Sequence, residues 1–412
     1  MKIVQIATSM IGGAGIAAMR LNQALNDIGV DSTLISNEMN NGVKYANFLG
    51  VNRSKSESFK SKALTLGQQK IIQCGDDLLT PFSTSTLDLQ VVFDLAPDVI
   101  HIHSFYNLLK TKDIEKLINS GIPMIFTLHD ERILTGGCHC TNGCNQFESK
   151  CESCPQSRMG FRHFVSKERL YWRRILEDEN RITLICPSKW MVEQVKKAGL
   201  IPITHPEVIR NPISTSYLES GICERAEEVD AKYTITFVSQ NIRNSYKGLD
   251  NILECIEIYA NDFVRRNIQF RFVGHGAELD IRDISYTQYP NLSEEDLIEI
   301  YRSTDLLLVP SKTDNSPNVV FEAALCGASF LGSNRAGLPE LSEMFGNRTF
   351  EYGNPHSLFE AILEVKNSAP DRAMVRNIAL ENVEPQKIAK SVKDLYHKKI
   401  AEALLRRSSN EF

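Results

Sequence analysis

Residues Leu306–Gly327 read LLLVPSKTDNSPNVVFEAALCG: four bulky aliphatics, a polar loop with two prolines, then apolar residues at helical spacing. An unbroken aliphatic run predicts a strand buried on both faces, as in parallel sheets. Ser316–Pro317 reads as an N-cap and first helical position. The amides of that helix start, with the dipole behind them, would form an anion site at the carboxyl end of the strand. Asp314 lies on the loop before the helix and Glu322 about one turn inside it, where helical side chains lean back toward the N-terminus. A phosphate at the amides would thus have a carboxylate on either side, Glu322 suited to a ribose diol and Asp314 to sugar hydroxyls. The plainer reading of the same residues is an ordinary cap flanked by two solvated acids.

The strand, loop and helix unit recurs on both sides of this segment. The chain opens with KIVQIA, the turn TSMIGGAG, a helical stretch and VDSTLIS, and continues through DVIHIH, PMIFTLH and ITLICPS with helix-length segments between them. A second series holds YTITFVS, IQFRFVG, LLLVPS and SFLGS, again separated by helices, one of them opened by a capping-box-like Ser293-x-x-Asp296. Alternation of this kind predicts an α/β chain with parallel sheets covered by helices on both faces. At 412 residues the chain exceeds what one core usually supports, so two domains are expected. The proline-bearing stretch THPEVIRNPIS, residues 204–214, marks the hinge. The expected division is 1–207, 208–385, and a C-terminal helix over 386–412 that crosses back to the first domain, as resemblance to relatives implies. Two doubly wound domains bind ligands at the carboxyl ends of their strands, in a cleft between them.

Composition is that of an ordinary globular protein, with 42% hydrophobic and 24% charged residues, and the net charge of -5 argues against nucleic acid as a partner. The start lacks a signal-peptide pattern and no apolar run is long enough to span a bilayer, so a cytoplasmic location is expected, with reduced cysteines.

DNSPNVVFEAALCGASFLGSNRAGLPE closely resembles the acid-x7-Glu signature of retaining glycosyltransferases of family GT4, including the Gly-Leu-Pro-Glu at Gly337–Glu340. The likeness extends over most of the chain. It implies the GT-B fold, two tandem Rossmann-like domains with parallel sheets facing a central cleft. It implies that Asp314 contacts donor-sugar hydroxyls, Glu322 the nucleotide ribose, and the amides of Asn318 and Val319 the diphosphate. Asp314 stands where the family more often has Glu, a reach shorter by one methylene. Lys247, in VSQNIRNSYKGLDNIL, matches the family's phosphate-binding lysine, although taken alone it would read as a surface group. Many members carry Arg five positions earlier; here that residue is Ile242, with Arg243 one place on as a substitute. Gly12 and Gly13 lack the Gly-x-Gly-x-x-Gly spacing, and the resemblance brings them close to the donor phosphate or the acceptor; a tight turn without ligand contact fits them equally. Glu38 is a further ribose-binding candidate by its place after the second strand. His129 maps beside the donor sugar as a positioning or charge-stabilising group, and His103 ends the neighbouring strand on the acceptor side, while His101 is expected to point into the fold or to its other face.

No Asp-x-Asp occurs in the chain, so no catalytic metal is expected. Helix amides and Lys247 would stabilise the departing nucleoside diphosphate, and by resemblance the acceptor hydroxyl attacks from the same face, with retention. The expected partners are a nucleotide-sugar donor, with a UDP or GDP base, and a glycan or lipid-linked acceptor of bacterial surface polysaccharide synthesis. A GT-B sugar-nucleotide epimerase and a non-catalytic nucleotide-sugar-binding scaffold are the alternatives.

Five cysteines fall within GGCHCTNGCNQFESKCESCPQ, in a loop over 136–156 too polar to order itself by a core. Cys138, Cys144, Cys151 and Cys154 suffice for a tetrahedral structural zinc, a choice the resemblance supports by leaving Cys140 out; His139 is another possible ligand, and free thiols or a Cys151–Cys154 redox pair are the alternatives. The following RMGFRHFVSKERLYWRRILED interleaves basic and aromatic residues. It suits either peripheral contact with the inner face of an anionic membrane or a solvated helix packed by its aromatic side.

Overall fold

The computed structural model describes residues 1–37, 47–51, 55–74, 78–84, 86–177, 182–200, 206–222, 231–368 and 370–409. Glu38 lies outside them. The chain forms two compact units, one of Met1–Pro212 with Pro385–Phe412, the other of Ile213–Glu384.

The first unit is built on seven strands: β1 (Lys2–Ile6), β2 (Asp31–Ser36), β3 (Phe48–Gly50), β4 (Val99–Ile102), β5 (Met124–Thr127), β6 (Ile182–Cys186) and β7 (Glu207–Val208). Their order is β3-β2-β1-β4-β5-β6-β7 with every pairing parallel. The expected boundary at 207/208 would cut through β7, whose pairing with β6 keeps the chain in this unit through Pro212. β4, β5 and β6 are buried at every position, which is why their sequences lack alternation. The C-terminal helix Pro385–Ser409 belongs to this unit: Ile388, Val392, Leu395 and Tyr396 join Leu21, Leu25 and Ile125 in one apolar cluster. Pro385 separates it from the helix Arg372–Val383, because the residue before a proline is driven out of helical geometry; Glu384 sits at φ −58, ψ 121.

The second unit has β8 (Tyr233–Asn241), β9 (Ile268–His275), β10 (Tyr286–Tyr289), β11 (Leu306–Val309) and β12 (Ser329–Gly332), ordered β10-β9-β8-β11-β12 and wholly parallel. The Ser293 hydroxyl accepts from the Asp296 amide at 3.1 Å and caps the helix Glu294–Arg302 as expected. In both units the strand order reverses beside the central strand, between β1 and β4 and between β8 and β11. Doubly wound sheets leave a crevice at that place, outside the carboxyl ends of the strands.

Candidate functional site

At the reversal in the second unit, the loops after β8 and β11 interlock. Lys247 ends a short 3-10 turn, and Gly248 follows in the left-handed region at φ 77 before the helix Leu249–Arg265. A Cβ on Gly248 would lie 1.9 Å from the Pro310 carbonyl oxygen, so only glycine lets the two loops meet. The Lys312 amide donates to the Tyr246 carbonyl at 2.8 Å across the same junction. This junction brings two of the expected site residues together: Lys247 Nζ donates to Asp314 Oδ2 at 2.6 Å, and Ser311 adds a second donor at 3.3 Å. The two side chains are 27% and 16% exposed, so the pair is largely screened from water while remaining reachable.

The helix of the opening stretch spans Asn318–Leu325, with Pro317 itself at the N-cap and no side-chain cap. This corrects the expected cap at Ser316: proline's fixed φ, here −67, suits the flanking position with ψ 122, which moves the helix start one residue on. Asn318 and Val319 are thus the first two helical residues, at the end of the helix where the dipole is positive. Glu322 is 6% exposed, and the Tyr301 hydroxyl donates to it at 3.4 Å. Burial first, then the Glu322 charge, pushes the Tyr301 phenol well up, so it stays a donor. The role of Gly337 was hidden in the sequence: its amide donates to the Asp314 carbonyl at 2.9 Å, and a Cβ there would fall 1.8 Å from the Asn315 oxygen. The Gly-Leu-Pro-Glu segment therefore buttresses the loop that aims Asp314. Arg243 is exposed and donates to the Glu278 carbonyl at 3.4 Å, while its neighbour Ile242 takes the buried position.

At the reversal in the first unit, Gly12 precedes the helix Gly13–Asp27 at φ 85, and Gly13 is exposed at its start. His103 and His129 follow β4 and β5 and meet: His103 Nδ1 and His129 Nε2 are 3.0 Å apart, with the rings stacked at 5.3 Å. His101 lies within the sheet, 4.2 Å from the His103 ring, bonded to the Tyr396 hydroxyl and to Thr127 at 2.7 Å each. Burial holds His129 down to about 4 and His101 to about 3, and with neighbouring rings depresses His103 strongly. Burial therefore favours the uncharged form of all three rings.

Beside them is a cavity of about 30 Å³ lined by His103, His129, Asp130, Arg132 and His139, with room for about two waters. Burial acts to raise the Asp130 carboxyl, but the His139 ring at 2.7 Å and the Arg132 amide outweigh it and hold it below the usual value. His139 also bonds Thr80 at 2.9 Å through its other ring nitrogen. Burial pushes Glu131 up to about 7 despite the amide and hydroxyl of Thr141.

Residues 11–217 match the family described as Glycosyltransferase Family 4, and residues 232–368 match Glycosyl transferases group 1. The chain belongs to glycosyltransferase family 4. A protein of Escherichia coli (strain K12) named as a colanic acid biosynthesis glycosyl transferase, WcaC, is 23% identical over 280 residues, 61% of this chain and 64% of that protein. The match thus spans less than two thirds of that relative's length. Among solved structures, sucrose-phosphate synthase from Thermosynechococcus elongatus superposes with a TM-score of 0.65 at 13% identity, covering 97% of this chain and 99% of that one. HepE of Anabaena, in complex with UDP and glucose, gives 0.61 at 13% identity, covering 97% and 100%. The fold is the two-domain GT-B fold.

In this family 4 chain the cysteine-rich stretch is not the coreless loop its polarity suggested. Cys138, Phe147, Cys151 and Cys154 are buried in the main core of the first unit, because a protonated thiol packs as a small apolar group. The Cys138 thiol donates to Cys154, which holds Cys154 down and Cys138 up. Backbone amides also reach the sulfurs: Gln146 to Cys144 at 3.5 Å, Gly136 to Cys151, and Gln156 and Ser157 to Cys154. Arg169, wholly buried near Cys151, donates to the Phe147 and Ala198 carbonyls at 2.9 and 2.8 Å. Among the described residues, no three His, Cys, Asp or Glu side chains stand where one metal ion would join them.

The basic, aromatic helix Arg162–Leu176 buries Val165, Arg169 and Trp172, and Glu115 takes up both Tyr171 and Arg174. Much of its charge is therefore used inside the unit. No helix among the described residues is long and apolar enough to cross a membrane.

Proposed function

We propose that this protein is a retaining glycosyltransferase that moves a sugar from a UDP- or GDP-sugar to a glycan or lipid-linked acceptor in bacterial surface polysaccharide synthesis. The observation that carries the proposal is the Lys247–Asp314 pair, set at the strand-order reversal beside the helix start at Asn318. Before the donor arrives the two charges satisfy each other. An incoming diphosphate competes for the Lys247 ammonium and takes the amides of Asn318 and Val319, which releases Asp314 to the hydroxyls of the sugar just beyond. Glu322, held by Tyr301, receives the ribose diol. Gly12 and Gly13 give the backbone room to approach, His129 bonds the donor sugar and His103 stands on the acceptor side. The UDP and glucose carried by HepE of Anabaena support a nucleotide-sugar donor for this fold.

The acceptor hydroxyl bonds to the anomeric carbon as the bond from that carbon to the diphosphate oxygen breaks. Its proton passes to the leaving phosphate oxygen. Lys247 and the helix amides stabilise the charge that builds on that oxygen, so the step needs neither an enzymic nucleophile nor a catalytic metal. Separately, Cys138, Cys144, Cys151 and Cys154 are proposed to hold a structural zinc: burial pushes the Cys144 and Cys151 thiols up, but the amides that reach three of the sulfurs act the other way, and the buried Arg169 charge calls for negative compensation. Closure onto one ion requires the side chains to rotate from their present positions.

The test is nucleotide release from a panel of UDP- and GDP-sugars, with and without a lipid-linked glycan extract. Acceptor-dependent release from one donor is expected. Binding without release under every acceptor condition would favour a scaffold, and a changed sugar still attached to its nucleotide an epimerase.

A further inference from the structure

β1 reads KIVQI, and its single inward polar residue, Gln5, is 0% exposed at the centre of the sheet. A buried amide is costly unless its groups are satisfied, and Gln5 spends them on a directed chain. Its nitrogen lies 3.2 Å from Asn22 Oδ1 and 2.8 Å from Ser32 Oγ, and its oxygen 2.8 Å from His103 Nε2. Amide and imidazole orientations are assigned from their networks, so the direction of the chain must be anchored by a group with one possible role. The Asn47 carbonyl is that group. It only accepts, and Asn22 Nδ2 lies 3.4 Å from it, which turns Asn22 Oδ1 toward Gln5. Gln5 must then donate to Asn22 and accept from His103 Nε2–H. A neutral His103 keeps one lone pair, on Nδ1, and His129 Nε2–H must donate to it across 3.0 Å. Reversing the chain would set the Asn22 and Asn47 oxygens against each other. Burial keeps the intervening rings neutral, so neither nitrogen can escape this assignment by gaining a proton.

We propose that Gln5 and His103 are positioning residues that hold His129 as its Nε2–H tautomer, so that Nδ1 offers a lone pair to a substrate hydroxyl. Among the described residues Nδ1 takes up no hydrogen bond. His129 then acts as a neutral acceptor, selecting a ligand that presents an O–H at that point over one that presents only acceptor oxygens. The ligand class rests on the transferase reading above; the tautomer does not.

The experiment is a long-range proton–nitrogen NMR correlation on the nitrogen-labelled full chain at neutral pH, which reports which imidazole nitrogen of His129 carries the proton. The wild type is expected to show Nε2–H. Gln5→Leu removes the fixed acceptor: His129 becomes a mixture of tautomers, and turnover falls by about tenfold or more with nucleotide affinity unchanged. Should Gln5→Leu fail to fold, His103→Gln takes its place, because its amide accepts from His129 and donates to Gln5 and so should retain the Nε2–H signature. An Nδ1–H His129 in the wild type overturns the proposal, as does a Gln5→Leu protein with unaltered spectrum and turnover, or a folded His103→Gln protein that has lost Nε2–H. Nε2–H in a protein that releases nucleotide from no donor would sink the transferase reading while the relay stands.

Discussion

The two units share a topology, and each has its crevice beside its own central strand, yet the two crevices are filled with opposite chemistry. In the second unit the loops after β8 and β11 carry a partly exposed ion pair, Lys247 with Asp314. In the first, the ends of β4 and β5 carry stacked imidazoles whose burial favours the uncharged form. Fixed charge at a solvent-reachable helix start suits an anion that comes and goes. Neutral, directed hydrogen bonds suit hydroxyl groups, which must be oriented without being ionised. Under the proposed function, phosphate chemistry would fall to one half of the chain and sugar chemistry largely to the other.

The sharpest way to break that contrast is Lys247→Ala. It should lower turnover by about a hundredfold, in the range seen when one donor to a developing oxyanion is removed, with a smaller change in donor binding. Full activity in this variant would mean that the phosphate is not handled at the Lys247 loop. Glu322→Ala should weaken donor binding by about ten- to a hundredfold, the loss of hydrogen bonds from a diol to a carboxylate. Titration calorimetry with the donor nucleotide checks it, and an unchanged affinity would move the ribose elsewhere.

The neutral half predicts a pH signature. His101 and His129 are held to about 3 and 4 against 6.5 in the unfolded chain, and His103 is depressed with them. Below pH 6.5 the unfolded chain therefore binds protons that the native chain refuses, so stability falls as the pH drops from about 6.5 toward 4. Glu131, pushed up to about 7 from 4.5, works in the opposite sense, but it is one group against three. Melting temperatures across this window should decline toward acid; a rise would show that the imidazoles are not buried neutral. The smallest effect on transfer is expected from Cys151→Ser with Cys154→Ser, which should lower metal content and melting temperature together. Equal metal content in variant and parent would remove the zinc.

The fold was legible because β4, β5, β6 and β11 are mostly apolar without alternation and each is followed by helical spacing. The Asp314–Glu322 segment stood out because its prolines and acids interrupt that pattern. Less visible were features that depend on residues far apart in the chain. Nothing local in VSQNIRNSYKG announces that Lys247 will meet Asp314, 67 positions on. Gln5 is a single polar letter in an apolar strand, and its meaning appears only when His103, 98 residues away, is placed beside it. The cysteine stretch misled through composition, since polar neighbours hid the burial of Phe147 and three sulfurs. That β7 joins the first sheet was not legible, because two residues are too few to show a period.

The return of the C-terminal helix to the first unit orders events during synthesis. Leu21, Leu25 and Ile125 are covered by Ile388, Val392 and Tyr396, and the Tyr396 hydroxyl completes the bonding of His101. None of these late residues exists until the whole second unit has been translated. The half that is translated first is thus finished last, and a chain stopped short of Tyr396 would leave an apolar face uncovered and His101 without its partner. Any expression design that trims this end, or tags it in a way that blocks the helix from docking, works against the opposite end of the molecule.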